Sequence, residues 1–334
     1  LGLSVNVMLK VLLISAYDAL SHRRWRKELA TFLISERMEV HQISLPDRHY
    51  AWRSRGSALT LALDERLQFD FDLVIATSMT DFSALRGMHR RLSSAPGIVY
   101  FHENQFAYPD RSSLGLVDRQ LSGIYSALSA DLVVFNSHFN RETFLRGCSE
   151  FLRKMPDGVP AGVCEIIEKK STCLPVAVNS FGLNPRPLKG SIVWNHRWEH
   201  DKGPKRLLKI LSSLISRDVE FQFNLLGQQF RQTPEEIKQA IDLLKNHGRL
   251  SRVGFIDSEV EYLRCLRETQ IVLSTSSQEF QGLAIQDALA QGCLPVVPDG
   301  LCYPEYVPEV YRYDSVDEAV LIIKRVMEGD LKEL

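Results

Sequence analysis

Arg197 and Lys202 stand five residues apart in the run Asn195-His196-Arg197-Trp198-Glu199-His200-Asp201-Lys202-Gly203-Pro204. Two cations at that spacing, ahead of a Gly-Pro step, can be brought over one anionic site. A diphosphate leaving group needs such countercharge as its bond breaks. A second run, Ser277 to Ala288, sets Glu279 and Asp287 eight positions apart around Gly282. Gly282 falls where a loop enters a helix, and the free N–H groups of a helix start bind phosphate. The two carboxylates could reach different parts of one ligand. A third run, Phe101-His102-Glu103-Asn104-Gln105 with Tyr108-Pro109 after it, puts polar and ionisable groups at the end of an apolar strand. Core packing does not call for them; a cleft-facing site does. A fourth, Arg48 to Arg55 with Arg23, Arg24, Arg26 and Lys27, interleaves aromatic and basic residues. Such a patch suits phosphates and stacked bases. Solvated charged faces are the plain alternative for the basic runs, and Glu and Asp eight apart are common.

Short β-branched runs alternating with amphipathic stretches must position these residues. Lys10–Tyr17, Met38–Leu45, Asp72–Ser78, Gly97–Glu103 and Asp131–Ser137 read as strands, and Ser21–Arg37 as the first helix. Apolar strands separated by helices predict a parallel sheet covered on both faces, with active residues at the C-terminal strand ends. The pattern pauses at Asn179–Gly190, rich in Pro, Gly and Asn, and then restarts with Ser191–Arg197. The spacing predicts an α/β chain of two Rossmann-like domains with parallel sheets facing across a cleft. The expected N-terminal domain is 8–180, the linker 181–190 and the C-terminal domain 191–314. A helix in 315–334 is expected to cross back to the N-terminal domain. Clefts between domains are favoured ligand sites.

The chain has 334 residues, 45% hydrophobic and 24% charged, which fits folded domains and excludes a disordered chain or a small disulfide scaffold. No apolar run reaches the ~20 residues of a membrane-spanning helix. Net charge is -1, but residues 1–190 hold 23 Lys/Arg against 19 Asp/Glu, so the first half is mildly basic. Six cysteines form no C-x-x-C pair and most lie in or beside apolar stretches, as expected of reduced thiols in the cytoplasm. Leu1–Val7 precede Met8, read as the natural start. No G-x-G-x-x-G follows the first strand, which argues against a simple NAD dehydrogenase. Asp70-Phe71-Asp72 has the form of a D-x-D metal motif but precedes a strand, where Asp is a common turn residue.

Together these motifs resemble the retaining GT-B glycosyltransferases of family 4, through Arg197-x4-Lys202-Gly203 and Glu279-x7-Asp287. More narrowly, five stretches resemble the tRNA-queuosine alpha-mannosyltransferase family. They are His102-Glu103-Asn104-Gln105 with Tyr108-Pro109, Phe135-Asn136-Ser137 with Phe139-Asn140, and His196 through Lys202. Glu279-Phe280 with Gly282, and Gly292-Cys293 with Tyr303-Pro304-Glu305, complete the set. The block His196–Lys202 is highly specific, whereas the Glu-x7 pattern is generic to the superfamily. Three positions depart from the family: Asp287 replaces Glu, Gln281 replaces an aromatic residue, and Asp18-Ala19-Leu20 replaces a Gly-Gly loop.

The resemblance implies transfer of mannose from GDP-mannose to the cyclopentenediol of queuosine in a tRNA anticodon, with the tRNA for aspartate the expected acceptor. It implies retention of the donor's configuration, no cofactor and no bound metal. Arg197 and Lys202 would neutralise the diphosphate, and Gly282 and Leu283 would offer it backbone N–H groups. Glu279, with Phe280 beside it, would meet mannose hydroxyls, Asp287 the ribose, and Gly254-Phe255 the guanine. His102 would face mannose and acceptor, with Ser21, His22, Glu103, Asn104, Arg53 and Arg55 on the acceptor side. Two alternatives stay open: a GT-B enzyme with another donor sugar or a glycan or lipid acceptor, and a catalytically idle tRNA- or nucleotide-binding protein.

Overall fold

A computed structural model of the chain describes residues 8–108, 115–178, 185–229 and 232–331. Leu1–Val7, Pro109 and the first part of the expected linker lie outside the described residues. The chain divides into two compact units, Leu1–Val176 and Ala177–Leu334.

The first unit is built on β1 (Lys10–Ser15), α1 (Leu20–Ser35), β2 (Glu39–Ser44), α2 (Tyr50–Leu61), β3 (Leu73–Thr77), α3 (Phe82–Met88) and α4 (Arg90–Ser94). β4 (Gly97–Phe101), α5 (Leu116–Ser129), β5 (Leu132–Phe135), α6 (His138–Leu152), α7 (Val163–Lys169) and β6 (Ser171–Cys173) follow. Its six strands pair in parallel in the order β2-β1-β3-β4-β5-β6. Leu12, Ile14, Val74, Val99, Phe101 and Phe135 are buried between sheet and helices, which is why these runs are apolar without alternation. The chain order reverses between β1 and β3, the switch point where open α/β sheets bind ligands beyond their strand ends.

The second unit comprises β7 (Leu188–Asn195), α8 (Pro204–Ser216), β8 (Gln222–Leu226), α9 (Glu235–Asn246), β9 (Leu250–Gly254) and α10 (Glu259–Arg267). β10 (Thr269–Leu273), α11 (Leu283–Ala290), β11 (Leu294–Pro298), β12 (Arg312–Tyr313) and α12 (Val316–Glu328) complete it. Its strands are also parallel, in the order β12-β11-β10-β7-β8-β9. Counted from β7, this is the Rossmann order, with its switch point between β7 and β10. The runs Asn195–Pro204 and Ser277–Ala288 follow these two strands, so the topology brings them to one place.

One boundary is corrected. β7 begins at Leu188, inside the stretch read as linker, because Leu188 N–H and Gly190 N–H donate to Glu268 O and Gln270 Oε1 beside β10. The final helix, α12, packs on α8, β11 and β12 of its own unit. Ala319, Val320, Ile323 and Val326 form its buried stripe, and a Ser315–Glu318 capping box starts it. No helix among the described residues is long and apolar enough to cross a membrane.

Candidate active site

The loop after β7 folds into one turn of 3-10 helix, His200–Lys202, ended by Gly203 in the left-handed region at φ 66°. A Cβ on Gly203 would lie 1.9 Å from Thr275 O, so only glycine lets this loop meet the one after β10. The two loops are stitched by backbone. Ser277 N–H and Gln278 N–H donate to Asp201 O at 2.8 and 3.2 Å, and Thr275 Oγ1 donates to Lys202 O at 2.7 Å. Buried Trp194 on β7 donates from Nε1 to Thr275 Oγ1 at 2.9 Å.

This scaffold points the Lys202 side chain inward. Its Nζ donates to Gln278 O and to Glu279 Oε2, both at 3.0 Å, and lies 3.2 Å from Asp201 Oδ2. Burial alone would lower this ammonium. The Glu279 and Asp201 carboxylates outweigh it and hold Lys202 above its ordinary value, so it is charged at neutral pH. Arg197 sits nearby, half-exposed, with Nη1 2.7 Å from Glu199 Oε2 and Nη2 3.6 Å from Asp201 Oδ2. Both predicted cations therefore stand in one cluster with Glu279, each on a carboxylate.

Gly282 caps the N-terminus of α11 at φ 77°. Behind it packs Tyr306, whose hydroxyl a Cβ there would approach to 2.4 Å. Tyr303, fully buried, shares a hydrogen bond with Ser274 Oγ at 2.6 Å. Leu283 opens the helix, Phe280 is buried beside it, and Asp287 is half-buried one turn on. Gln281 sits buried, donating from Nε2 to Gln286 Oε1 at 2.9 Å. Gly254 ends β9 and accepts from Gly227 N–H at 3.1 Å, while the Phe255 ring next to it is half-exposed.

His196 opens the His196–Lys202 block but was expected to carry no role of its own; it is buried at the root of the Lys202 loop. Burial, and then the Lys202 ammonium, pushes its imidazole down to about 3. The unfolded chain takes up a proton near the ordinary 6.5 that the folded state refuses. Stability is therefore expected to be full above pH 6.5 and to fall as pH drops from 6.5 towards 3. His196→Gln should flatten the slope of Tm against pH across that window; an unchanged slope would contradict the assignment.

In the first unit, His102 follows β4 and is buried, its ring stacked on His22 at 4.1 Å between centroids and edge-on to Trp25 at 4.9 Å. Burial, and next His22, hold it well below its ordinary value, so it is neutral. Among the described residues its Nε2 has no hydrogen-bond partner. Asp18, in the loop after β1, accepts from Arg26 Nε at 3.0 Å and from Arg23 Nε at 3.1 Å. Burial raises its pKa, but these two guanidiniums outweigh burial and leave it lowered, hence ionised. Ser21 is exposed at the start of α1, and His22 is buried.

Several acceptor-side expectations change. Asn104 is committed to the fold: Nδ2 donates to Asn140 Oδ1 and Thr143 Oγ1, both at 2.9 Å, and Oδ1 accepts from Phe106 and Ala107 N–H. Asn140 Nδ2 donates in turn to Phe101 O, and Asn136 Nδ2 to His102 O. The asparagines after β5 thus clamp the loop that carries His102. Arg53 is buried rather than part of a surface patch, because it shares the inward stripe of α2 with Ser57 and Leu61. Arg55 donates to Asp81 Oδ2 at 2.8 Å, and Arg26 is consumed by Asp18, so the basic run is largely neutralised from within. Asp70 and Asp72 lie at the opposite end of β3, on Arg91 and Lys10 N–H.

Residues 10–178 match the model of the tRNA-queuosine alpha-mannosyltransferase N-terminal domain. Over 320 residues, 91% of this chain and 83% of the relative, the sequence is 35% identical to a tRNA-queuosine alpha-mannosyltransferase of Drosophila melanogaster. The chain belongs to the tRNA-queuosine alpha-mannosyltransferase family. Its fold is that of the GT-B glycosyltransferases. HepE of Anabaena, solved with UDP, superposes with a TM-score of 0.62 over 97% of this chain and 91% of its own at 14% identity. A sucrose-phosphate synthase of Thermosynechococcus elongatus gives 0.65 over 96% and 90% at 13% identity.

Proposed function

We propose that the protein transfers mannose from GDP-mannose to the cyclopentenediol of queuosine in a tRNA anticodon, the tRNA for aspartate being the expected acceptor. The observation that carries this reading is the buried, charged Lys202 beside Glu279 and the α11 entrance, in a chain of this family. Lys202 exchanges Glu279 and Asp201, and Arg197 exchanges Glu199 and Asp201, for diphosphate oxygens when the donor binds. Gly282 and Leu283 offer the first N–H groups of α11 to the same phosphates. Released from Lys202, Glu279 accepts from mannose hydroxyls, Asp287 meets the ribose, and the guanine stacks on Phe255. Neutral His102 is suited to hydrogen-bond a hydroxyl rather than to supply charge.

Transfer is proposed to retain the donor's configuration. The bond from mannose to phosphate weakens, an oxocarbenium-like centre forms, and the acceptor hydroxyl attacks from the face the phosphate is leaving. The departing phosphate oxygen takes the hydroxyl proton. Catalysis is then positioning and leaving-group stabilisation. Countercharge comes from Lys202 and Arg197, so transfer is expected to continue in EDTA. Arg197→Ala is expected to lower kcat by ~100-fold, the scale of lost charge stabilisation on a leaving group. Near-normal turnover would remove Arg197 from the diphosphate. The same reading sets the enzyme in the cytoplasm, with its tRNA.

The testing experiment is a donor panel in EDTA with queuosine-containing tRNA, followed by alpha-mannosidase digestion. GDP-mannose should be the preferred donor and the product should be stripped by the alpha-specific enzyme. Preference for a UDP-sugar, or a product resistant to alpha-mannosidase, would overturn the reading.

A further inference from the structure

Three carboxylates follow strands β1, β3 and β4 at the C-terminal end of the first sheet: Asp18, Asp81 and Glu103. Two are neutralised from within. Asp18 holds Arg23 and Arg26, and Asp81 holds Arg55 while capping α3. Glu103 is different: among the described residues it has no cationic partner. It is fixed instead by two phenols. Tyr50 Oη donates to Oε1 at 2.9 Å and Tyr108 Oη donates to Oε2 at 2.8 Å. Gln105 Nε2 donates to Tyr50 Oη at 2.6 Å, and Arg119 Nε donates to Gln105 Oε1 at 3.2 Å. Tyr17 meets the Tyr50 ring edge-on at 5.4 Å. Burial, and then the Glu103 charge, hold the Tyr50 phenol well above its ordinary value, so it stays a donor. Glu103 is only partly buried, and a carboxylate with one hydrogen bond per oxygen keeps lone pairs for more.

We infer that Glu103 is the specificity-determining counter-charge for the acceptor, pairing with the secondary ammonium that joins the cyclopentenediol of queuosine to its base. The assignment rests on the proposed function above. A half-buried carboxylate held rigid without a cation is set up for a ligand cation, and an ammonium–carboxylate hydrogen bond is about twice as strong as a neutral one. Guanine at the same anticodon position carries no such charge. Glu103 therefore separates the modified nucleoside from its unmodified counterpart, as Arg197 and Lys202 serve the donor.

The experiment measures transfer at saturating GDP-mannose, with queuosine-containing tRNA varied, in wild type and Glu103→Gln. KM for the tRNA should rise ~10-fold or more, the scale of a lost charged hydrogen bond, with a smaller change in kcat. Binding of the same tRNA with guanine in place of queuosine should not change. An unchanged KM, or equal weakening for both tRNAs, would overturn the assignment. If Glu103→Gln fails to fold, acetylation of the queuosine amine tests it on the wild type. Loss of charge with the diol intact should raise KM similarly, and an unchanged KM would overturn it. No transfer by the wild type to queuosine itself would overturn the functional reading, a result distinct from normal transfer with an unaltered KM.

Discussion

On the proposed function, Lys202→Ala is expected to lower kcat by ~100-fold or more, the cost of removing a buried charge from a developing anion, and to keep much of its donor affinity through Arg197 and the α11 N–H groups. Lys202 is 8% exposed at its side chain, against 51% for Arg197, so its field is the less screened of the two. Its removal also leaves Glu279 next to Asp201 without the ammonium between them. Lys202→Arg should recover little, since a planar guanidinium does not fit a pocket shaped around one ammonium by Gln278 O, Glu279 Oε2 and Asp201 Oδ2. Steady-state turnover of both variants, with circular dichroism to establish folding, checks this. Folded Lys202→Ala within a few-fold of wild type would remove Lys202 from the chemistry.

Gly203→Ala is expected to destabilise the second unit by about 2–4 kcal/mol, from a strained left-handed backbone and a steric conflict together. The added Cβ would meet Thr275 O at 1.9 Å, and that neighbour is backbone, which cannot rotate away. Any relief must open the stitch between the two loops, including Thr275 Oγ1 to Lys202 O. Activity should therefore fall further than stability, because Lys202 moves with the loop. Urea unfolding followed through the buried tryptophans, with activity measured well below the midpoint, separates the two effects. A stable, fully active Gly203→Ala would show that the loop does not need this close approach.

The strands were legible because apolar runs such as KVLLIS and LVIAT are bounded by polar turns, and buried parallel strands need such runs. β6, only Ser171–Cys173, was not, since three polar or small residues carry no periodicity. The meeting of Arg197, Lys202 and Glu279 was legible because each of the two stretches is compact in sequence and both follow strands that pair with each other. The acceptor side was harder. Asn104 reads as a ligand by residue type, but it donates to Asn140 Oδ1 and Thr143 Oγ1, and Asn140 donates in turn to Asn136 Oδ1 and Phe101 O. The partnership of Tyr50 with Glu103 spans 53 residues and leaves no local signature. Arg53 could have been recognised: Arg53, Ser57 and Leu61 recur at helical spacing, which sets the arginine on the inward stripe of α2.

The most direct test is nucleoside mass spectrometry of queuosine-containing tRNA after incubation with the protein and GDP-mannose. The account predicts that queuosine gains the mass of one hexose and that one GDP is released for each. GDP release without that gain, or no reaction with GDP-mannose at all, would contradict it.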